Sequence, residues 1–244
     1  MTSWAVTTWN LHGSARPPID RAAEAIGAES PDIVAIQEIQ QRQAAELAAD
    51  LSMRYSWVVK HHPYTRLVRS RSEGMAIMTP HLLDAVGHTE LTEGQSMRSW
   101  RRRIAQWGLV GRADRSMAMI YNTHLSPHDD ADSADSRRRE ARRLSGIVTA
   151  IGDDPSPIVA GDLNDADDPT IIEALPGVEH VRPPFTSPAS DPMQVLDHVL
   201  LPEEATDVTV AVPPGGTDWA AISDHLPVTV RFTLPITPGV RPQA

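Results

Sequence analysis

Short apolar, β-prone runs in this chain repeatedly stop at a polar cluster, and that repetition limits the possible folds more than any other feature. Trp4 to Thr8 leads into Trp9-Asn10, and Ile33 to Ile36 leads into Gln37-Glu38. Met117 to Tyr121 leads into Asn122-Thr123-His124, Ile158 to Ala160 into Gly161-Asp162-Leu163-Asn164, and Val195-Leu196 into Asp197-His198. A sixth cluster, Ser223-Asp224-His225, stands near the C-terminus. Strands that end this way can gather their polar residues on one rim of a sheet. Carboxylates, amides and imidazoles together are what a hard divalent cation and a water attacking phosphorus require.

Periodicity fills in the rest. Ile19, Ala22, Ala23 and Ile26 recur at helical spacing, as do Ala44, Leu47, Ala48 and Leu51. With strands at Trp4 to Asn10, Asp32 to Gln37 and Tyr55 to Lys60, the first part reads as an α/β layered unit. The middle carries strands at Met75 to Met78, Leu83 to Leu91, Ile104 to Arg112 and Met117 to Asn122 with no helix between them, so antiparallel neighbours are expected. Asp135 to Ile151 predicts a helix with Ala141, Leu144, Ile147, Val148 and Ile151 inward. Its Arg137, Arg138, Arg139, Glu140, Arg142 and Arg143 are expected on a solvated face, and Asp132, Ser133 or Asp135 at its cap. A short helix is expected after Pro169. Further strands are expected at Pro157 to Ala160, Met193 to Leu201, Val208 to Val212 and Pro227 to Leu234. The expectation is one domain over 1–234, two mixed sheets with helices outside, and a Pro-rich, disordered tail over 235–244.

Composition removes several chemistries. The 244 residues include no cysteine, so disulfides, thiolate catalysis and Cys-ligated metals are excluded. The net charge of −10 weighs against non-specific grip on duplex DNA. No apolar run approaches the length of a membrane helix, roughly 20 residues. The N-terminus lacks the pattern of a secretory signal, so a cytoplasmic location is expected.

The residues suggest roles of their own. Glu38 and Asn10 would meet if their strands are neighbours, and a carboxylate with an amide oxygen suits magnesium or manganese. Asp162 can orient or deprotonate a water, and Asn164 can donate to a developing oxyanion. His225 and His124 stand near carboxylates, the setting of an acid–base histidine. Arg71 and Arg101 in loops, and His62 beside His61, are candidates for contact with a substrate phosphate.

Taken in order, these motifs resemble the endonuclease/exonuclease/phosphatase family, the fold of deoxyribonuclease I and of the exonuclease III class of abasic endonucleases. The resemblance runs from Thr8 to about Val230. It rests on Trp9-Asn10, Gln37-Glu38, Glu73-Gly74-Met75-Ala76-Ile77-Met78, Asn122 to Leu125, Gly161 to Asn164, Leu196 to His198 and Ser223 to His225. It implies a four-layer α/β sandwich and metal-dependent phosphoester hydrolysis. Glu38 would be the main metal ligand, with Asn10 and Asp224 close to a magnesium or manganese ion. Asp162 would position or activate water, Asn164 would help stabilise the transition state, and His225 would pair with Asp197. His124 would be the second imidazole, buttressed by Glu73. Which histidine is acid and which is base stays open.

His12 stands where abasic endonucleases carry an aspartate, and the tyrosine-containing motif of that class is missing. The resemblance therefore implies the broad bacterial group acting on nucleic acids, nucleotides, phospholipid headgroups or sugar phosphates. The expected form is a monomer acting on a phosphoester without a transmembrane segment. The alternatives are a non-catalytic scaffold of the same fold and, within the enzyme class, a phospholipid headgroup phosphodiesterase.

Overall fold

The computed structural model describes residues 1–63, 71–127, 131–151, 155, 157–164 and 178–235. The helix expected after Pro169, the loop residues Arg66 and Arg69, and the tail from 236 lie outside them. Among the described residues, one six-stranded sheet contains β1 (Thr2–Asn10), β2 (Ile33–Gln40), β3 (Arg54–His61), β4 (Glu73–Thr79), β11 (Thr206–Ala211) and β12 (Val228–Leu234). A second contains β5 (Leu82–Glu90), β6 (Ile104–Gly111), β7 (Met117–His124), β8 (Pro157–Asp162), β9 (Val178–His180) and β10 (Asp197–Pro202). Their orders are β11-β12-β1-β2-β4-β3 and β5-β6-β7-β8-β10-β9. The α-helices among the described residues are α1 (Ile19–Ala28), α2 (Gln41–Asp50), α3 (Ala131–Ile151) and the single turn α4 (Thr217–Ala220).

Alternation along the strands builds the layers. Trp4 and Val6 of β1 face the space between the sheets, with Ile33, Ile77, Ile120, Ile158, Val199 and Val230. Trp9, Val34, Ile36 and Met78 point the other way, onto Ile19, Ile26, Ala44 and Leu47 of α1 and α2. Ala141, Leu144 and Val148 of α3 cover Met119, Tyr121, Val159 and Leu200 on the outer face of the second sheet. Three apolar clusters thus separate four layers: helices, sheet, sheet, helix. Each buried Leu or Ile contributes ~1.5–3 kcal/mol toward holding a layer on its neighbour.

Pairing directions fix where the polar clusters go. β1 runs parallel to β2, and β7 parallel to β8, while the other neighbours are antiparallel. The ends of β1, β2, β7 and β8 therefore lie at one rim. β10 starts there, with Asp197 opposite Asp162, and β12 starts beside it, with Val228 opposite Thr8.

Several sequence expectations are corrected. Asp197 opens a strand rather than ending one, because the chain before it folds back through a Ser187–Gln194 bridge. β4 is inserted between β2 and β3, so the early strand–helix–strand pattern yields one parallel pair, β1 with β2. The long helix starts at Ala131, which puts Asp132 in its first turn. Glu140 and Arg137 of that helix are buried, not solvated. Glu140 accepts from Ser126 N at 2.9 Å and Ser126 Oγ at 2.7 Å, and Arg137 donates to Ser126 O at 3.1 Å. Their charges pin α3 to the chain just past β7.

Candidate active site

At the rim, Asn10, Glu38, His124, Asp162, Asp197 and His225 converge. Cross-links hold the convergence in place. Trp9 Nε1 donates to His225 O at 2.7 Å, and Ser223 Oγ donates to Asn10 O at 2.6 Å. Between the sheets, Gln37 Nε2 donates to Asn122 Oδ1 at 2.8 Å, while Asn122 Nδ2 reaches Ile36 O and Ala76 O, each at 3.0 Å. Buried amides that satisfy one another in this way set the spacing of the two sheets beneath the rim.

Glu38 owes its direction to a backbone irregularity. Val34 and Ile36 face the helices, and simple alternation would send Glu38 with them. The β2–β4 register shifts between Ile36 and Ile39, and Glu38 takes φ 52°. A bulge of this kind re-aims a side chain. Glu38 Oε1 thereby comes to 3.6 Å from His124 Nδ1, across on the other sheet, and 3.6 Å from Lys60 Nζ.

Asp162 is the hub. Its Oδ2 accepts from Asn10 Nδ2 at 3.0 Å and lies 3.7 Å from His124 Nε2 and 3.9 Å from His225 Nε2. Its Oδ1 accepts from Asn164 N at 2.9 Å, and Asn164 Nδ2 donates to Leu125 O at 3.0 Å. Gly161, at φ 146°, makes the approach possible, since a Cβ there would sit 1.9 Å from Thr123 O. His225 Nδ1 is 2.8 Å from Asp197 Oδ2, which turns Nε2 toward Asp162.

Burial and neighbouring charges separate the two histidines. Burial alone would lower His225, but the carboxylates of Asp197 and Asp162 outweigh it and push the imidazole up to about 10. His124 is held well below its ordinary value by burial and then by Lys60, Arg103, His225 and His61. At neutral pH His225 is an imidazolium and His124 a neutral imidazole. Burial raises Asp162 to about 6, with His225 opposing the rise and Asp197 adding to it.

Two donor groups could hold a cation. Asp162, Asp197 and His225 offer ligand atoms all within 4.8 Å of one another. His225 Nδ1 is spent on Asp197 Oδ2, and the neighbouring carboxylates favour the protonated ring, so His225 is the weakest donor of this group. Glu38, Asn10 and Asp224 offer oxygen, the donor that magnesium and manganese prefer. A partnerless, buried Asp197 Oδ1 and His124 Nδ1 mark polar valence at the rim that the protein alone leaves unsatisfied. The residues present fit a divalent cation.

The remaining expected site residues have other neighbours. Glu73 does not buttress His124: its Oε2 is 3.5 Å from His61 Nε2, and the carboxylate beside His124 is Glu38. The cause is the β2–β4 register, which sets Glu73 opposite Gln40, past the bulge. Asp224 is exposed, 3.3 Å from His12 Nδ1. His62 N donates to Met97 O at 2.7 Å, and its Nδ1 is 2.7 Å from Ser72 Oγ. Arg71 is exposed, and Arg101 lies 5.2 Å over the Trp100 ring.

Three residues to which the sequence assigned no place at the rim stand among the acids. Lys60 is 2% exposed, and burial, then Arg103, lower it to about 8 against the pull of Glu38. Burial and Lys60 lower His61 to about 4. Arg103 is buried and senses Glu140, Glu38 and Asp162. A signal for the first two existed: Tyr55 to Val59 is one more apolar run that stops at a polar cluster, Lys60-His61-His62.

Comparison with known proteins gives the family and the fold. The model of the Endonuclease/Exonuclease/phosphatase family matches residues 7–225. No curated protein matches the chain. An endonuclease/exonuclease/phosphatase from Bacteroides vulgatus is similar in structure, with TM-score 0.78, 20% identity and coverage of 96% of this chain and 100% of that one. A mannosyl-6-phosphatase of Bacteroides thetaiotaomicron has TM-score 0.73 at 18% identity, covering 95% of this chain and 100% of its own. Truncated TDP2 of Caenorhabditis elegans has TM-score 0.70 at 17% identity, covering 94% and 97%. At these identities the likeness is one of fold.

Proposed function

Because the chain belongs to the endonuclease/exonuclease/phosphatase family, we propose that it is a divalent-metal-dependent phosphoester hydrolase working at the rim just described. The observation that carries this reading is the placement of Asp162 between a neutral and a charged imidazole, 3.7 and 3.9 Å away, with Asn10 on the same oxygen. Glu38, Asn10 and Asp224 would hold the magnesium or manganese ion. That ion would polarise the phosphoryl oxygens and offset charge developing on them.

The chain's own residues do the rest. Asp162, ionised above pH of about 6, accepts a proton from the attacking water. His225, kept charged and oriented by Asp197, donates from Nε2 to a phosphoryl oxygen. His124 is neutral and able to bind that phosphoryl group or to relay a proton. Asn164 spends one amide hydrogen on Leu125 O and has a second for the transition state. Glu73 acts on this centre through His61. Arg71, Arg101 and His62 approach the substrate from the surrounding loops. Among the described residues no helix is long and apolar enough to cross a membrane.

The test is turnover with magnesium or manganese on plasmid, single-stranded DNA, RNA, nucleotides, sugar phosphates and bis(p-nitrophenyl) phosphate. Asp162→Asn and His225→Ala should each lower kcat by about 10² or more on whichever substrate is cut. Unchanged turnover in both variants would mean that a contaminant does the chemistry and that the chain is a scaffold.

A further inference from the structure

A cleft of about 270 Å³ opens beside the rim, between the loop leading into β6, the turn after β7 and the first turns of α3. Trp100, Arg101, Arg103, Ser126, Ser136 and Glu140 line it. Arg103 is its most unusual wall. The side chain is 2% exposed, yet its Nε and Nη1 have no hydrogen-bond partner. A buried guanidinium left in this state is costly, because it has lost water without gaining acceptors. The nearest acid by influence is Glu140, but both Glu140 oxygens are already taken by Ser126 N and Oγ. Asp132 is exposed at the edge of the same cleft. The guanidinium thus lines the cleft with its charge intact and no protein acceptor on Nε or Nη1, and a carboxylate or phosphate is the group such a charge takes. Arg101, stacked on Trp100, adds a second positive charge at the mouth.

The cleft lies near the rim residues. Ser126 follows His124 by two residues, and Arg103 lies within electrostatic reach of Glu38, Asp162 and Glu73. We propose that this cleft is an oxyanion subsite that takes a phosphate or carboxylate group carried by the substrate away from the bond that is cut. The inference rests on the hydrolase reading above and sharpens it. The substrate class becomes a small phosphoester with a second acidic group. The cleft is smaller than the sites of drug-sized ligands, roughly 300–1,000 Å³, so it suits one charged group and a few carbons. The half-exposed Trp100 ring offers those carbons an apolar face.

The test is calorimetric titration of inorganic phosphate and, separately, acetate into metal-free protein in EDTA. Wild type, Asp162→Asn, Arg103→Gln and Ser136→Trp are compared; the tryptophan fills the cleft from the surface of α3. One of the two anions should bind wild type and Asp162→Asn alike, and bind Arg103→Gln and Ser136→Trp about tenfold or more weakly. Preference for phosphate or for acetate identifies the second group as phosphate or carboxylate. Should Arg103→Gln fail to fold, Ser136→Trp and Arg101→Gln carry the comparison. Binding of neither anion, or binding that survives the cleft variants and is lost in Asp162→Asn, overturns the subsite. Failure of the hydrolase reading would show separately, as no turnover by wild type with magnesium or manganese.

Discussion

Asp162 and His225 lie 3.9 Å apart with folded pKa values of about 6 and about 10, and both depart upward from their ordinary ranges. Activity that needs Asp162 ionised and His225 protonated should therefore rise with pH to a plateau beginning near 6 and fall near 10. A pH profile of kcat/KM checks this, and His225→Gln should abolish the alkaline fall. The same pair makes stability depend on pH. His225, raised above its ordinary value of 6.5, contributes stability that is fully present below that pH and is lost as pH rises through about 10. Asp162, raised from 3.8, loses its contribution as pH rises through about 6. Denaturation midpoints in EDTA should fall from pH 6.5 to 10 in wild type and fall less in His225→Gln. At this scale the convergence at the rim was largely legible. Asp162, Asp197 and His225 announced themselves as polar residues set against apolar runs. Lys60 and Arg103 did not, since nothing in a lysine or an arginine run says which cation will be buried.

The strands and helices show why some placements were readable and others were not. Ile19, Ala22, Ala23 and Ile26 bury the face their spacing requires, because a 3.6-residue period leaves no other solution. The bulge at Glu38 has no such mark: Gln37-Glu38 contains no glycine, and the positive φ emerges only from pairing with β4. That pairing also fixed Glu73 beside His61, against the expectation that it supports His124. Where glycine does mark a backbone constraint, a variant can test it. Gly161→Ala would place a methyl 1.9 Å from Thr123 O at a φ that side chains rarely adopt. Backbone strain of this kind costs on the order of 1–3 kcal/mol, and the steric clash adds to it. The midpoint of thermal unfolding should drop by several degrees. Because β8 and β7 must part to relieve the contact, Asp162 should leave its neighbours, and kcat should fall even where the variant is fully folded. Wild-type kcat in a destabilised Gly161→Ala protein would show that the close β7–β8 approach serves stability alone.

Across the whole molecule, the candidate site is divided between the sheets. Asn10 and Glu38 come from one; His124, Asp162 and Asp197 come from the other. Their distances depend on the packing between the sheets, and much less on the two clusters beneath the helices. The inter-sheet cluster includes Ile120, on the strand that ends at His124, and the cluster under α1 and α2 includes Leu47. Both side chains are fully buried, so Ile120→Ala and Leu47→Ala should each cost about 2–5 kcal/mol. Equal losses of stability should not mean equal losses of activity. Relaxation around the Ile120 cavity lets the sheets shift relative to one another, and a misplacement of about 1 Å can cost 10²-fold in rate. Relaxation around the Leu47 cavity moves α2 on the back of one sheet. Assayed well below their unfolding midpoints, Ile120→Ala should lose kcat while Leu47→Ala keeps most of it. If both retain wild-type kcat, the rim is held by its own hydrogen bonds, chiefly Gln37 to Asn122 and Trp9 to His225. The core between the sheets would then matter for folding only.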